Sequence, residues 1–293
     1  MSLSYSNLPV YIGAAGIGSI PQETSAYVPA TQATVNYNTN HTPQRKLGST
    51  IDSSNQYGFA GALTADINVN CILQDGMHSG FDFLKAANQE DFVTISIGTG
   101  NYFNKCYATD VTVNISPYAP VTLNTTFVSL DPPTQTQISG DPSPYSGMDI
   151  PFTGDDVAYG HTCQVSDAGN LLNDVQSDIS FSRKYARTPV FEIGSVNAST
   201  MLLDGIDEEL RISSTGLNTL NNFSGEELTG LVRVSIKGAG AGMSDPIVHL
   251  ISFESGARVL SEDYSIEGGN TLATTRRWSC LVCTTYTTYT TNR

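Results

Sequence analysis

The sequence predicts an all-β protein with little helix, built from two tandem, internally duplicated β-barrel or β-sandwich domains. Composition is the first reason: only 14% of the 293 residues are charged, and the chain has 26 glycines and 13 prolines. Polarity comes instead from Thr, Ser and Asn, which suit strand faces and turns. The second reason is that apolar residues alternate with polar ones in many short segments. The third is that two segments recur later in the chain.

Both recurrences have nearly the same offset. Residues 42–49 (TPQRKLGS) match residues 188–195 (TPVFEIGS), so the offset is 188 − 42 = 146. Residues 107–130 align without gaps on residues 258–281, so the offset is 258 − 107 = 151, and this alignment places Phe127 on Trp278. Because the two matches are collinear, they predict a duplicated unit with a period of about 150 residues.

Period-two alternation predicts the strands of both halves. In the first half these are residues 65–73, 93–97, 111–115 and 121–127, and in the second half residues 232–236, 247–253 and 272–280. One short helix is predicted in each half, at residues 80–89 (GFDFLKAANQ) and 217–228 (LNTLNNFSGEEL). Each domain is therefore expected to have about six to eight strands and one helix that covers an open end.

Composition also predicts the domain boundaries. Residues 1–33 form an apolar, Gly-rich N-terminal arm expected to dock on another surface, such as a neighbouring subunit, and residues 34–135 form the first domain. A Pro- and Gly-rich linker follows at 136–174, and residues 175–293 form the second domain. The tail at 284–291 (TTYTTYTT) is expected to be a closing strand or an exposed one.

The chain is acidic, with a formal charge of −14 and a pI near 4.5. This charge argues against ordinary nucleic-acid binding and against docking on an anionic membrane. Two interpretations of it stay open: acidity that only keeps the protein soluble, and the wall of a channel through which DNA slides. No secretion signal and no apolar run long enough for a membrane span are expected. The five scattered cysteines are typical of a protein made in a reducing cytoplasm.

No motif predicts a catalytic residue, a cofactor site or a metal ligand. The histidines are far apart and lack metal-ligand spacing: His41, His78, His161 and His249. The pair Cys280 and Cys283 has C-x-x-C spacing, but it stands alone at the end of a predicted strand.

Three further segments partly resemble functional motifs but are interpreted as ordinary turns or loops. The acidic segment 204–209 resembles half of a calcium loop, and the sequence favours a solvated hairpin turn between residues 201–203 and 210–212. The pair Asp155 and Asp156 is assigned to the linker. The glycine-rich segment 238–242 has no following helix and no Lys-Ser/Thr, so it predicts a hairpin loop rather than a phosphate loop.

The order of elements in residues 64–133 resembles a known family. Strand TADINVNCIL is followed by helix SGFDFLKAANQ, strand DFVTISIG and the pair CYATDVTVNIS and VTLNTTFVSLDPP. The second half ends similarly with SGARVLSEDYSIEGGNTLATTRRWSCLV. This pattern resembles the β-barrel domain of bacteriophage tail tube proteins, over residues 30–133 and 175–283.

The resemblance implies a structural virion protein without enzymatic activity or cofactors. Such a protein is made in the host bacterial cytoplasm, stacks as rings into the phage tail and conducts DNA during ejection. Its implied partners are other copies of itself and tail proteins such as the tape measure, sheath or baseplate, while DNA only passes through. Two tube domains per chain imply a trimer with pseudo-sixfold symmetry, and a hexamer stays open. The strand face with Asp66, Asn68 and Asn70 is the candidate for the lumen.

Several alternatives are kept. A baseplate, neck or hub ring uses the same barrel, and a bacterial secretion tube is a second structural option. An extracellular carbohydrate-binding β-sandwich would need exposed aromatic residues or a calcium loop. A polysaccharide-degrading enzyme would need carboxylates that converge in space.

Overall fold

A computed structural model defines the fold. The structure describes residues 10–12, 27–28, 30–39, 42–44, 57–59, 63–73, 92–98, 101–130, 157–167, 170–171, 175–193, 195, 197–215, 232–236, 249–253, 258–267 and 271–280. Most of them lie in 17 antiparallel strands, and the helical structure within these ranges is a single 3-10 turn at Gly160–Thr162. The predicted all-β class is confirmed.

The strands divide almost evenly between the two halves. The first half contains β1 (Val10–Ile12), β2 (Tyr27–Val28), β3 (Ala30–Thr39), β4 (Thr42–Gln44), β5 (Tyr57–Phe59), β6 (Leu63–Ile72), β7 (Val93–Ile97), β8 (Tyr102–Ile115) and β9 (Thr122–Ser129). The second half contains β10 (Gln164–Asp167), β11 (Asn170–Leu171), β12 (Val175–Phe191), β13 (Ala198–Thr215), β14 (Val232–Ile236), β15 (His249–Phe253), β16 (Arg258–Glu267) and β17 (Thr271–Cys280).

Alternation located strands well. The predicted segments 93–97 and 232–236 coincide with β7 and β14, and the segments at 65–73, 247–253 and 272–280 correspond to β6, β15 and β17 within two residues at each end. The two predicted helices at 80–89 and 217–228, and the tail at 284–291, lie outside the described residues.

A central sheet of eight strands runs through both halves of the chain. Its order is β3-β6-β9-β8-β12-β13-β17-β16, and every neighbouring pair is antiparallel. The halves meet where β8 pairs with β12, from Ile115 opposite Ile179 to Asp110 opposite Lys184. The two halves therefore share one sheet.

Smaller groups of strands cover one face of this sheet. β7 pairs with the first part of β8, β1 with β7 and β2 with β1, while β11-β10-β14-β15 form a separate four-stranded sheet. Both groups contribute to a single apolar core with the central sheet. Its fully buried members include Ile67, Phe127, Phe181, Leu210, Val234 and Ile251. The fold is a sandwich whose core continues across the two halves.

Parts of the predicted arm and linker belong to this sandwich. β1 lies in the predicted arm, and its Val10 and Ile12 are buried in the core. β10 lies in the predicted linker and pairs with β14. Ahead of it, a Cβ added at Gly160 would lie 2.0 Å from the backbone oxygen of Ser116, so this close approach of two chain segments requires glycine.

The predicted hairpin turn at 204–209 is wrong. These residues lie inside β13, which pairs with β12 along a long antiparallel hairpin whose strands have 17 and 18 residues. The acidic residues do not need a turn, because basic residues of β12 lie directly opposite: Arg183 faces Glu208 and Lys184 faces Asp207. Cross-strand pairs of opposite charge stabilise a strand at this place.

The two halves of the central sheet have the same strand order and the same register. Order β3-β6-β9-β8 in the first half corresponds to β12-β13-β17-β16 in the second. All eight pairs of β6 with β9 map onto the eight pairs of β13 with β17, for example Ile67 opposite Phe127 onto Leu210 opposite Trp278. The sequence offset is 210 − 67 = 143 for β6 and 278 − 127 = 151 for β9.

The remaining strand pairs of the central sheet also correspond between the two halves. The nine pairs of β3 with β6 map onto pairs of β12 with β13, and Val35 corresponds to Phe181, an offset of 181 − 35 = 146. The pair Val113 with Leu123, joining β8 to β9, maps onto Tyr264 with Thr274, joining β16 to β17, an offset of 264 − 113 = 151. These are the two offsets found in the sequence.

Even the irregularities correspond. An extra residue interrupts the β3–β6 ladder at Thr31 and the β12–β13 ladder at Ser177, with the same offset as Val35 and Phe181. Another interrupts the β8–β9 ladder at Thr109 and the β16–β17 ladder at Leu260, with the same offset as Val113 and Tyr264. A bulge sets local twist and the direction of its strand, and both halves of the sheet carry these two irregularities at equivalent positions.

Candidate assembly surface

The face of the central sheet that points away from the core is polar. The polar face is defined by strand alternation on β6, β9, β8, β12 and β13, where the intervening residues are buried, and on β3, where they are half-buried. A ladder across six strands illustrates it: Gln32, Asn70, Asn124, Thr112, Ser182 and Glu209 lie opposite one another in turn. The predicted lumen residues Asp66, Asn68 and Asn70 all lie on this polar face.

Acidic residues outnumber basic ones on the polar face. The register places seven acidic residues at positions of this face, namely Asp66, Asp110, Asp178, Asp207, Glu209, Asp263 and Glu267, and three basic ones, namely Lys184, Arg211 and Arg277. The other positions are mostly Asn, Ser and Thr. The polar face therefore offers a weakly acidic and largely uncharged surface.

Side-chain hydrogen bonds stiffen the polar face. The Ser180 hydroxyl donates to Asn114 Oδ1 at 3.0 Å, and this bond crosses the β8–β12 junction between the two halves. At the end of the same junction the Ser116 hydroxyl donates to Asp178 Oδ1 at 2.7 Å. These bonds tie the halves together on the solvent side, while apolar residues tie them on the core side.

Buried charges mark the point where the hairpin leaves the sheet. Arg183 and Glu208 lie opposite each other and form an ion pair, although only 5% and 4% of their surfaces are exposed. Arg183 Nη1 also donates to the Tyr185 hydroxyl oxygen at 3.3 Å. Burial raises the pKa of the Tyr185 phenol, while the neighbouring Arg183 charge acts in the opposite direction. Both charges are thus compensated inside the protein.

Past this point the hairpin continues as a two-stranded ribbon, from Tyr185 opposite Ile206 to Phe191 opposite Ala198. Arg187 holds the ribbon to β8: its Nε donates to the Ala108 carbonyl oxygen at 2.9 Å. The Arg187 guanidinium also lies 5.3 Å from the ring centroid of Tyr107 and 5.3 Å from that of Tyr185. Guanidinium groups favour such positions over aromatic faces.

A second, smaller apolar cluster lies beneath the ribbon. Ala198 and Met201 pack there with Tyr107 and Leu130 of the first half. Above the cluster, the ribbon exposes Phe191 and Leu202, and Ile193 lies in the connection at its end. The ribbon therefore gives the chain an exposed apolar tip near one end of the polar face.

The central sheet ends in two open edges. Within the described ranges, β3 pairs only with β6 and β16 pairs only with β17. Each of these edge strands exposes a large apolar side chain: Tyr37 on β3 is 55% exposed and Leu260 on β16 is 56% exposed. Open edges of this length are templates for pairing with another chain.

Among the residues considered for chemistry, those that the structure describes do not converge. His161 is exposed beside the ring of Tyr118, with 6.4 Å between centroids, and His249 begins β15 in the other sheet. Within the described ranges, no group of three or more His, Cys, Asp or Glu residues could hold a metal ion. Residues 238–242, Asp155 and Asp156, His41, His78 and Cys283 lie outside those ranges.

The described cysteines do not form a redox site. Cys71, Cys106 and Cys163 are free thiols. Burial raises the pKa of Cys71 to about 12 and that of Cys163 also to about 12. Since the thiolate is the reactive form, the thiols of Cys71 and Cys163 stay protonated near neutral pH.

Cys71 should therefore resist alkylation in the folded protein. We expect iodoacetamide at pH 8 to modify Cys71 at least about tenfold more slowly than in the urea-unfolded chain, because the folded thiol is both buried and protonated. Peptide mapping by mass spectrometry separates Cys71 from the other cysteines. Equal rates in the two states would contradict the buried position of Cys71.

Comparison with known proteins gives no match: no family model matches this chain, and no curated protein matches it significantly. In the described part of the chain there is no helix long and apolar enough to cross a membrane. Function must therefore be argued from the sheet itself.

Proposed function

We propose that this chain is a structural protein that self-assembles into rings and stacked hollow tubes, and that it forms the tail tube through which a bacteriophage delivers its DNA. Its role is to present a surface rather than to catalyse a reaction. One observation carries the proposal: in a single eight-stranded sheet, the described side chains of β3, β6, β9, β8, β12 and β13 pack on a continuous apolar core on one face and are mostly polar on the other.

The two faces suit a tube wall. The strands that cover the apolar face would form the outer layer of the wall, and the polar face would line the lumen. Asn, Ser and Thr make the proposed lumen hydrophilic, and the excess of acidic over basic residues repels the phosphates of DNA. A polyanion could then slide without being bound.

We also propose that the chain arose by duplication. Matching strand order, matching registers and matching bulges support this proposal, because two halves of separate origin would not be expected to share all three. The repeated unit includes the small sheets as well, because β2-β1-β7 with the start of β8 has the same order as β11-β10-β14-β15. Described residues 10–130 and 163–280 would then be the two repeats, so the arm and the linker supply equivalent strands.

Two repeats per chain favour a trimeric ring. Three chains would place 24 strands around the lumen, in six similar units. At about 4.8 Å between strands and a tilt of about 40°, such a barrel would have a backbone diameter of about 50 Å. Side chains reduce that width, and what remains still suits a rigid duplex.

Electron microscopy of the purified full chain in negative stain tests the proposal. We expect rings with six similar lobes and, at higher protein concentration, hollow tubes made of stacked rings. Mass measurement of an isolated ring is expected to give three chains. Single rings that never stack would favour the neck or baseplate role, and monodisperse monomers at all concentrations would overturn the proposal.

Charge reversal on the polar face tests the role of the lumen. Replacing Asp66, Asn68 and Asn70 together with lysine should leave assembly intact, because these side chains lie on the polar face away from the core. DNA ejection should be at least several-fold slower at low salt, and the defect should shrink at about 0.5 M salt, where charges are screened over a few ångströms. Replacing the same residues with glutamine is the matched control. Normal ejection by the lysine variant at low salt would show that the acidity serves only solubility.

A further inference from the structure

We propose that the open edge of β16 pairs with the open edge of β3 in the next copy of the chain, antiparallel and in the register of the internal β8–β12 junction. This inference rests on the proposed self-assembly and names its contact. The partner is a second copy of this chain, and the contact is a ladder of backbone hydrogen bonds.

The internal junction provides the template. There, β8 ends the sheet of the first half and β12 begins that of the second. On the core side of this junction Phe181 lies opposite Val113 and both are fully buried. On the polar side the hydrogen bond from Ser180 to Asn114 closes the contact.

The two open edges are the counterparts of these joined strands. β3 corresponds to β12, as Val35 does to Phe181, and β16 corresponds to β8, as Tyr264 does to Val113. The strand that would continue the series after β16 is therefore another β3. Transfer of the internal register predicts these pairs between copies: Ala33–Ile266, Thr34–Ser265, Val35–Tyr264, Asn36–Asp263, Tyr37–Glu262 and Asn38–Ser261.

Side chains at the open β3 edge are more exposed than their counterparts on β12, which are buried in the internal β8–β12 junction. Phe181 is 1% exposed, whereas its counterpart Val35 is only partly buried. Arg183 is 5% exposed and its counterpart Tyr37 is 55% exposed. A neighbouring strand on this edge would bury both side chains, as β8 does in the internal junction.

The β3 edge also lacks the usual protection against pairing. β3 has ten residues with no charged residue and no proline, although these are the residues that normally shield an edge. β16 has the same length and carries Glu262 and Asp263 near its centre. Pairing of β16 with another β16 would oppose like charges, whereas pairing with the uncharged β3 does not.

Head-to-tail pairing generates a closed ring. Within one chain, the second half follows the first half along the sheet through the β8–β12 junction. If β16 joins β3 of the next copy in the same way, the first half of that copy follows the second half of this one. A heterologous contact of this kind closes into a ring if its rotation divides a full turn. Each chain would then bury both of its open edges.

Disulfide crosslinking tests the register. In the full chain, N36C combined with D263C places two cysteines opposite each other across the proposed contact, and both native side chains are exposed in the single chain. Mild oxidation is expected to give covalent multimers, and the largest of them should contain as many chains as the ring. Each single variant alone should give none of these species.

Two matched pairs serve as controls. S182C combined with T112C sits at the equivalent place in the internal junction, where the residues are direct partners, and should crosslink within each chain. N36C combined with E267C is displaced by four residues, about 13 Å along the strand, and should not crosslink because a disulfide requires Cα atoms within about 7 Å.

The outcomes separate this inference from the proposed function. Rings in electron micrographs without N36C–D263C crosslinks, while the internal control crosslinks, would overturn the edge pairing and leave the proposed function standing. Crosslinks in the displaced pair instead would overturn the register. Absence of both rings and crosslinks would overturn both proposals.

A charge test needs no oxidation. T34K combined with S265K would place two lysines opposite each other in the proposed register and is expected to reduce ring formation at least tenfold. T34K combined with S265E should restore it, because opposite charges face each other. Equal assembly of the two double variants, measured by light scattering and electron microscopy, would overturn the predicted pairing of Thr34 with Ser265.

Discussion

Replacing Glu208 with alanine is expected to lower the free energy of unfolding by about 3–5 kcal/mol, because it removes the buried carboxylate that pairs with the buried Arg183 guanidinium. Glu208 is 4% exposed and forms the ion pair with Arg183. Water cannot replace the lost carboxylate without opening the sheet where the ribbon begins. Urea unfolding followed by circular dichroism measures the change.

Two controls separate this effect from a general loss of charge. Asp207→Ala removes the neighbouring acidic residue, which is exposed, and is expected to cost less than about 1 kcal/mol. R183M combined with E208L replaces both buried charges by apolar side chains and should recover most of the loss, since a buried ion pair often contributes little net stability over apolar residues. A loss below about 1 kcal/mol for E208A would mean that water reaches Arg183.

The sequence predicts the strands better than their connections. Alternation located β6 and β14 because one face of each faces the core and the other is less buried. It also located β7, although both faces of that strand are buried. It failed at 204–209, where a run of acidic residues suggested a turn. The missed signal lies on the partner strand: Arg183 and Lys184 supply the opposite charges, but nothing in a single sequence says that residues so far apart are neighbours.

The correspondence between the two halves of the sheet is only partly visible in the sequence. The offset between equivalent strands changes along the chain, from Val35 and Phe181 to Ile67 and Leu210, because the connecting segments differ in length. No single offset therefore aligns the whole chain. Side chains at equivalent places also differ in kind, since Tyr37 corresponds to Arg183. Backbone pairing tolerates such changes of side chain. The strand registers therefore reveal more equivalent positions in the two halves than residue identity does.

The strands inside the predicted arm and linker were not visible in the sequence. Their strands are short, with three residues in β1 and four in β10, and such segments give no clear alternation. They gain their strand conformation from pairing with β7 and β14. The open edges of the sheet were also not predicted from the sequence, because an edge strand is defined by the lack of a neighbouring strand and not by its own residues.

Phe181→Ala is expected to lower the free energy of unfolding by about 3–5 kcal/mol and to do so for both halves at once. Phe181 lies on β12 of the second half and is 1% exposed. It belongs to the same apolar cluster as Phe127 of the first half, and β12 pairs directly with β8. The cavity would therefore weaken a core that both halves share, and unfolding should stay a single cooperative transition.

Two probes placed in different halves decide this point. The chain's single tryptophan, Trp278, is on β17 and reports on the second half by fluorescence, while exposure of Cys71 to a thiol reagent reports on the first. At protein concentrations where the chain is monomeric, both probes should shift to lower urea concentration by the same amount in F181A. F127A, with the cavity in the first half, should shift both as well. Separate transitions, with F181A moving only the Trp278 signal, would mean that the halves at 34–135 and 175–293 fold as independent domains.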